Sequence, residues 1–432
     1  MKQLIFSSLC FLLSLGSVSI VSANELIPYS GSIGQHGPRI MTSSFEHQEA
    51  AVRIIIKGGA LHEPESKRGI ARLTIASVLN PVSVKKEGSN IYGLRARLQR
   101  LGAKVDVTVG THATTIQLDA PSVSIKEAFA LIVSNLTAPS LSESSILKTL
   151  ERIREEQLIH EPLDNYYSLQ RGLFPKLFAN GREARTEIAS SLTSKDVIQF
   201  YREKYEPKNM IFVGTGGISR ESLERIVKSR LLLPMISEDV EKAPLLFTLT
   251  STSPKLPLRG TEFGSVRQLN WGYKGIALFE DPAVCMVLGE LFRRKVEEAL
   301  EREMKMDFEV QGGYILLSDQ GYFSVSIRGG GWKGVVGLVK QTATELFSKI
   351  RDSDIEEALS SLEKKRTLMK FHPSQLAEQF AQQVLAGRID AADYESLENE
   401  LETVTRSDVE ARAKELFIDA NSFVVKFDPI QN

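Results

Sequence analysis

The chain has 432 residues, of which 42% are hydrophobic and 25% are charged, as expected for a globular protein of two or more domains. Its 53 lysines and arginines nearly balance its 54 aspartates and glutamates, which gives a formal net charge of -1. This balance argues against a strongly basic surface, so we expect neither nucleic acid nor an anionic membrane surface as a partner.

The first 23 residues have the layout of a secretory signal peptide. Lys2 provides a positive start, an apolar run covers residues 4–21, and the run ends at Ala23. We predict cleavage after Ala23 and a periplasmic or secreted protein with no membrane attachment. The alternative is a retained membrane anchor, which the short run and the polar Asn24 and Glu25 disfavour.

The predicted elements that follow mix strands and helices without strict alternation. A strand is predicted at 51–57, helices at 69–80 and 91–101, strands at 103–109 and 114–120, and helices at 124–136 and 142–160. This order predicts an α+β fold, in which helices pack on one face of a largely antiparallel sheet.

Two segments that lie 212 residues apart repeat one pattern. Thr193 and Asp196 in the first segment correspond to Thr405 and Asp408 in the second. In each segment the threonine is a predicted helix N-cap, and the aspartate lies in the first turn, where the helix dipole favours a negative charge. An amphipathic helix, a turn at asparagine and a β-branched strand follow in both segments.

The repeat extends upstream, because the charged helix predicted at 142–160 corresponds to one predicted at 354–372. The chain is therefore predicted to be a tandem duplication. We place the two domains at 24–240 and 258–432, joined by a linker at 241–257 that is rich in Pro, Ser and Thr.

Three segments resemble motifs of the M16 (pitrilysin/insulinase-like) zinc peptidases. They are residues 58–71, which begin Gly-Gly-Ala-Leu-His-Glu-Pro, residues 98–103, Leu-Gln-Arg-Leu-Gly-Ala, and residues 201–213, which contain Tyr205, Pro207 and Asn209. The resemblance covers most of the chain after residue 23. It implies two M16-type domains that close on each other like a clam-shell, and zinc-dependent peptide hydrolysis as the activity of the family.

The zinc motif of the family falls on the helix predicted at 69–80, and here it is degenerate. The family has His-x-x-Glu-His, in which two histidines on one helix face hold zinc and the glutamate activates a water. This chain has Arg72, Ile75 and Ala76 at those positions. Arg72 is a permanent cation, Ile75 cannot accept a proton, and Ala76 has no donor atom for a metal. All three roles of the motif are therefore missing.

Glu156 matches the third zinc ligand of the family. It is either a leftover position that pairs with Arg72 or part of a solvated helix face. No two of the six histidines lie within five residues of each other, and only Cys285 remains once Cys10 leaves with the signal. We therefore expect no metal and no cofactor in this chain, and zinc only in a partner subunit.

In two-chain bacterial members of the family, the subunit without zinc contributes an arginine and a tyrosine that grip the peptide. Arg302 matches the arginine, but the tyrosine position is Glu309, so Arg302 is either half of that pair or an ordinary charged residue on a helix surface.

The strand at 103–109 resembles the edge strand to which substrates of the family add as an extra strand. Its central residues are candidate peptide-binding residues: Val105, Asp106, Val107 and Thr108. The alternative is an ordinary sheet strand.

The resemblance and its departures lead to one main hypothesis. The chain is a non-catalytic M16 subunit that forms a heterodimer with an active zinc-bearing homologue, or else a homodimer, and helps to bind and process peptides in the periplasm. One alternative is a stand-alone peptide-binding or chaperone-like module. Another is a zinc metalloendopeptidase with displaced ligands.

Overall fold

The computed structural model describes most of the chain between residues 29 and 427. The described ranges are 29–33, 37–79, 93–110, 112–160, 188–231, 255–258, 267–277, 281–304, 308–316, 320–329, 334–346, 350–369, 371–385, 399–418 and 422–427, with single residues 348 and 397. The predicted signal peptide at 1–23 lies outside these residues. Within them, no helix combines the length and the apolar character needed to cross a bilayer.

The described residues form two sheets, and the first of them has six strands. They are β1 (Tyr29–Ser32), β2 (Arg39–Ser44), β3 (Glu49–Ile56), β4 (Lys104–Val109), β5 (Thr114–Pro121) and β6 (Met210–Gly216). Their order across the sheet is β1-β2-β6-β3-β5-β4, and all neighbours are antiparallel except β2 and β6, which are parallel. β3 therefore lies inside the sheet, and it is buried on both faces.

Within its described residues, the first half of the chain has six α-helices. They are α1 (Ile70–Leu79), α2 (Leu94–Arg100), α3 (Ile125–Thr137), α4 (Glu143–His160), α5 (Ser194–Lys204) and α6 (Arg220–Arg230). They cover one face of the sheet, where alternate residues of β3 such as Val52 and Ile54 join the first hydrophobic core. Phe129 and Phe212 meet edge to face in this core, with ring centroids 5.7 Å apart.

The second sheet repeats the plan of the first with one strand fewer among the described residues. Its strands are β7 (Lys255–Leu258), β8 (Arg267–Ala277), β9 (Phe308–Leu316), β10 (Gln320–Gly329) and β11 (Ser422–Phe427). The order β7-β11-β8-β10-β9 matches β2-β6-β3-β5-β4, and β7 is again the strand that runs parallel to its neighbour. This match confirms the predicted duplication at the level of topology.

The second half contains the helices α7 (Pro282–Met304), α8 (Val335–Leu346), α9 (Asp352–Met369), α10 (Pro373–Leu385) and α11 (Arg406–Leu416). All but α10 contribute to the second hydrophobic core, against the side chains of β8 and β10. The helix predicted at 354–372 ends at Met369, and α10 begins after a short turn.

The two halves share local geometry as well as topology. Thr193 and Thr405 each accept a hydrogen bond from the backbone N–H three residues on, and Asp196 and Asp408 accept from the threonine N–H in return. Gly69 precedes α1 and Asp281 precedes α7, and these two residues are also 212 positions apart. Both have a positive φ, of 81° and 50° respectively. An aspartate tolerates this left-handed backbone better than most side chains do.

α10 departs from the prediction of helices on one face only. It packs on the opposite face of the first sheet, where Ala51 and Ile55 of β3 meet Leu376 and Phe380. The reason is the alternation of side chains along β3, which makes both faces apolar and requires a cover on each. The first sheet thus lies between its own helices and a helix of the second half.

The predicted linker at 241–257 also needs a correction. β7 begins at Lys255, inside that segment, and the earlier part of the segment lies outside the described residues. Pro257 is compatible with a strand here because β7 is at the edge of its described sheet, and edge strands are where proline, which has no N–H to donate, is tolerated. The domain boundaries at 24–240 and 258–432 otherwise stay predictions.

Candidate functional site

The turn between β3 and α1 is held by a close backbone approach. The N–H of Gly59 donates to the carbonyl of His112 at 3.1 Å, and the N–H of Ala60 donates to the carbonyl of Gly110 at 3.0 Å. A Cβ on Gly59 would lie 2.4 Å from the Gly110 oxygen, so only glycine fits. The Gly-Gly step after the first long strand therefore has a structural cause.

Glu63, in the His-Glu-Pro stretch, forms the N-terminal cap of α1. Its two carboxylate oxygens accept hydrogen bonds from the backbone N–H groups of Gly69 at 2.9 Å and Ala71 at 3.0 Å. The residue is 7% exposed, and a negative charge at a helix N-terminus is favourable. This role is not among those predicted from the sequence, although an acidic residue in the turn before a helix is a usable signal for it.

The degenerate motif lies on α1 as predicted. Ile75, at the position of the general base, is 2% exposed and belongs to the first hydrophobic core. Arg72 and Ala76, at the positions of the two histidines, are half-buried. These residues do not fit a zinc ion, because a guanidinium repels it and the other two side chains have no donor atom.

Glu156 lies on α4, which packs beside α1. Its side chain lies outside the described part of the structure, so its pairing with Arg72 stays a prediction. Across the residues that the structure describes, no group of three or more His, Cys, Asp or Glu side chains could hold a metal ion.

The fold brings two histidines from different segments close together. Burial, with a contribution from the nearby His62, lowers the pKa of His112 to about 4, so this imidazole is neutral at pH 7.

Cys285 is buried in the second core, and burial raises the pKa of its thiol to about 12. It is an inert core residue, as the apolar sequence around it predicts.

Among the described strands, β4 pairs with β5 alone and therefore lies at the edge of the first sheet. The N–H of Gly110 donates to the carbonyl of Ala113 at 2.8 Å, which makes this a hydrogen-bonded pair at the end of the ladder. Since hydrogen-bonded and non-bonded pairs alternate in an antiparallel ladder, the backbone groups of Val105, Val107 and Val109 point towards the open edge.

The candidate peptide-binding residues alternate along this strand. The side chains of Val105 and Val107 pack against the first core, whereas Asp106 is exposed on the other face. The carboxylate of Asp106 accepts a hydrogen bond from the N–H of Val107 at 2.8 Å. One of the outward N–H groups of the edge is therefore occupied by the neighbouring side chain.

Arg302 lies in the last turn of α7, in the second half of the chain. Its side chain is 69% exposed and forms an ion pair with the adjacent Glu303 at 2.9 Å. Glu309, at the position of the family's tyrosine, is exposed on β9. The described contacts of Arg302 are thus those of a charged helix end, and they do not join it to β4.

A buried polar cluster, which is not among the features predicted from the sequence, joins the two halves. Arg53, in the middle of β3, is 1% exposed. Its Nη1 donates to Asp119 of β5 at 2.8 Å, and its Nε lies 3.5 Å from the carboxylate of Glu378 on α10. Gln117 donates to the same Glu378 at 3.4 Å.

The start of α10 completes this cluster. Ser374 accepts two hydrogen bonds from Nη2 of Arg53 and donates its hydroxyl to Asp119 at 2.9 Å. The hydroxyl of Thr215 on β6 donates to the carbonyl of Pro373 at 2.6 Å. These bonds fix the position of α10 on the sheet, and the only sequence signal for them is a lone arginine in an apolar strand.

Two family models match the chain. "Insulinase (Peptidase family M16)" matches residues 39–174, and "Peptidase M16 inactive domain" matches residues 191–362. The probable zinc protease PqqL of Escherichia coli (strain K12) is 22% identical over 247 residues, which cover 53% of this chain and 26% of that protein. The match therefore spans far less than two thirds of the length of this curated relative.

Solved structures give the same fold. A protease from Helicobacter pylori superposes with a TM-score of 0.75 at 15% identity, covering 93% of this chain and 99% of that one. A peptidase M16 inactive domain from Pseudomonas fluorescens gives 0.73 at 14% identity, with 94% and 98% covered. The periplasmic protease PqqL from Escherichia coli gives 0.71 at 15% identity, with 93% and 47% covered. With family models matching in both halves and this fold throughout, the chain belongs to the M16 peptidase family.

Proposed function

We propose that this chain is a non-catalytic M16 subunit that binds extended peptides and pairs with a zinc-bearing homologue, which performs the hydrolysis. One observation carries the proposal. Ile75 occupies the position of the general base and is packed inside the first hydrophobic core, between Arg72 and Ala76 at the ligand positions. In this proposal zinc is held by the partner subunit alone.

The peptide-binding part of the proposal is supported by the edge position of β4. The backbone groups of Val105, Val107 and Val109 point outwards, so an extended peptide can add as a further strand. Such pairing uses main-chain groups and therefore does not require the zinc motif. Arg302 is a candidate second contact only in an assembly of two subunits that places it beside the same bound peptide.

The periplasmic location of the proposal is supported from two directions. The N-terminal 23 residues have the layout of a signal peptide. One of the solved structures of the same fold is a protease described as periplasmic. In the proposed assembly the partner is an M16 homologue in a heterodimer, and a homodimer is the second arrangement to be considered.

A reconstitution experiment tests this function. The purified chain, a zinc-bearing M16 homologue from the same source and an equimolar mixture are each assayed with a fluorogenic peptide library, and the zinc content of this chain is measured by plasma mass spectrometry. We expect cleavage to rise strongly only in the mixture, and no stoichiometric zinc in this chain. Cleavage by this chain alone, with one zinc per chain, would overturn the proposal in favour of displaced ligands.

The open edge of β4 also favours a second candidate function, a stand-alone peptide-binding or chaperone-like module. The edge belongs wholly to this chain, so peptide binding there needs no partner. Co-purification from the native source separates the two candidates. Recovery with an M16 homologue supports the subunit, whereas recovery alone, with peptide binding intact, supports the module.

A further inference from the structure

We propose that Asp106 is a built-in competitor of peptide binding at the edge of β4, because its carboxylate occupies the Val107 N–H that an added strand would use. The inference rests on the proposed peptide-binding function and names a regulator of that same site. It follows from the position of a single hydrogen bond relative to the open edge of the sheet.

The first step is the direction of the Val107 N–H. The pairing of Gly110 with Ala113 fixes the alternation along β4, and Val107 falls on the non-bonded positions, opposite Ile116. Its N–H therefore points away from β5, into the space that another strand would fill. The bond from this N–H to Asp106 Oδ1, at 2.8 Å, lies on that open side.

The second step is the exchange that strand addition would require. A peptide carbonyl can accept from the Val107 N–H only if the Asp106 carboxylate releases it, so each bond forms at the expense of the other. A charged side chain at the edge of a sheet is a common protection against unwanted strand pairing, and Asp106 acts here through a hydrogen bond as well as through charge.

The expected size of the effect follows from the net value of one hydrogen bond. Removing the competing carboxylate strengthens peptide binding roughly three- to tenfold, because the intramolecular bond no longer has to break. Lys104 provides a matched control. It is an exposed charged residue on the same face of the same strand, and its backbone belongs to a hydrogen-bonded position opposite Asp119.

The test compares the wild type with Asp106→Ala and Lys104→Ala in the full chain. The probe is a short fluorescein-labelled peptide of alternating threonine and valine with lysine at both ends, followed by fluorescence anisotropy. A second measurement, amide hydrogen exchange resolved at Val107, needs no peptide. We expect Asp106→Ala to bind roughly three- to tenfold more tightly and to exchange faster at Val107, and Lys104→Ala to match the wild type in both.

The outcomes separate this inference from the function on which it rests. Equal affinity of the wild type and Asp106→Ala overturns the competition alone, and so does unchanged exchange at Val107. A gain in affinity for Lys104→Ala as large as that for Asp106→Ala also overturns it, because the gain would then not depend on release of the Val107 N–H. If no variant binds the peptide, the peptide-binding function and the competition fail together.

Discussion

Arg53 and Ser374, which are 321 positions apart, are joined by two hydrogen bonds from one guanidinium nitrogen. Nη2 of Arg53 donates to the Ser374 carbonyl at 3.0 Å and to its hydroxyl at 2.8 Å. The arginine belongs to β3 in the first half, and the serine belongs to the first turn of α10 in the second. This contact ties the two copies of the duplication into one molecule.

Replacing Arg53 with alanine should lower the free energy of unfolding by about 2–3 kcal/mol. The substitution leaves Asp119 and Glu378 without their buried cation, and the loss is moderate because those side chains are 36% and 41% exposed. Urea unfolding of the two proteins measures the difference. Arg302→Ala is the control, since that arginine is 69% exposed and should change stability by less than about 0.5 kcal/mol. Equal effects of the two substitutions would contradict the role of the buried cluster.

Restoring an acidic residue at the general-base position should destabilise the protein. Ile75→Glu introduces a carboxyl group at a site that is 2% exposed, and we expect a loss of about 3 kcal/mol or more. Ile75→Val removes one methyl group from the same site and should cost only about 0.5–1.5 kcal/mol. Both are measured by denaturant unfolding. A stable Ile75→Glu variant would show that the site is open to water, in contradiction to the described packing.

The two capping boxes should contribute equally to stability. Thr193→Ala and Thr405→Ala each remove an N-cap hydroxyl with the same geometry, and each should cost about 1 kcal/mol. The corresponding serine variants keep the acceptor oxygen and serve as controls. The comparison is made by thermal and urea unfolding. A loss in only one of the two would indicate that the halves have diverged in local stability.

The interface between α7 and α9 should weaken in acid. Burial by itself raises the pKa of Glu290, but hydrogen bonds from Arg293, Lys365 and Ser361 outweigh burial and lower the pKa to about 2. A lowered pKa in the folded state means that the stabilisation is complete above the ordinary value of 4.5 and is lost as the pH falls towards 2. Unfolding followed from pH 7 to pH 2 should show this loss, and Glu290→Gln should reduce its steepness. An unchanged slope in the variant would assign the acid sensitivity to other carboxylates.

The local parts of the fold could be predicted from the sequence. Helix periodicity places α1 and α3 within a residue or so of their observed ends, and the repeated Thr-x-x-Asp pattern identifies both N-cap threonines. The structure adds the return bond from each threonine N–H to the aspartate, which makes each cap a capping box. The replacement of the zinc motif was equally visible, since it needs only the identity of three residues on one helix. These features depend on neighbours in the chain, which a single sequence displays.

The parts that the sequence did not reveal depend on contacts between distant segments. The position of α10 on the first sheet requires an apolar face of β3 to find a helix more than 300 positions away, and periodicity carries no information about that pairing. The cap that Glu63 forms on α1 and the bond from the Val107 N–H to Asp106 are local in sequence, and a different limit applies to them, because both depend on the path of the backbone as well as on residue type.

The placement of α10 has a consequence for the order in which the molecule can mature. The outer face of the first sheet is covered by residues 373–385, near the end of a chain of 432 residues. During synthesis the whole first half is therefore made well before the helix that covers its sheet. Until then Ala51, Ile55 and Val213 are accessible to other apolar surfaces. A fragment that stops before residue 373 should therefore expose this apolar face and aggregate rather than fold.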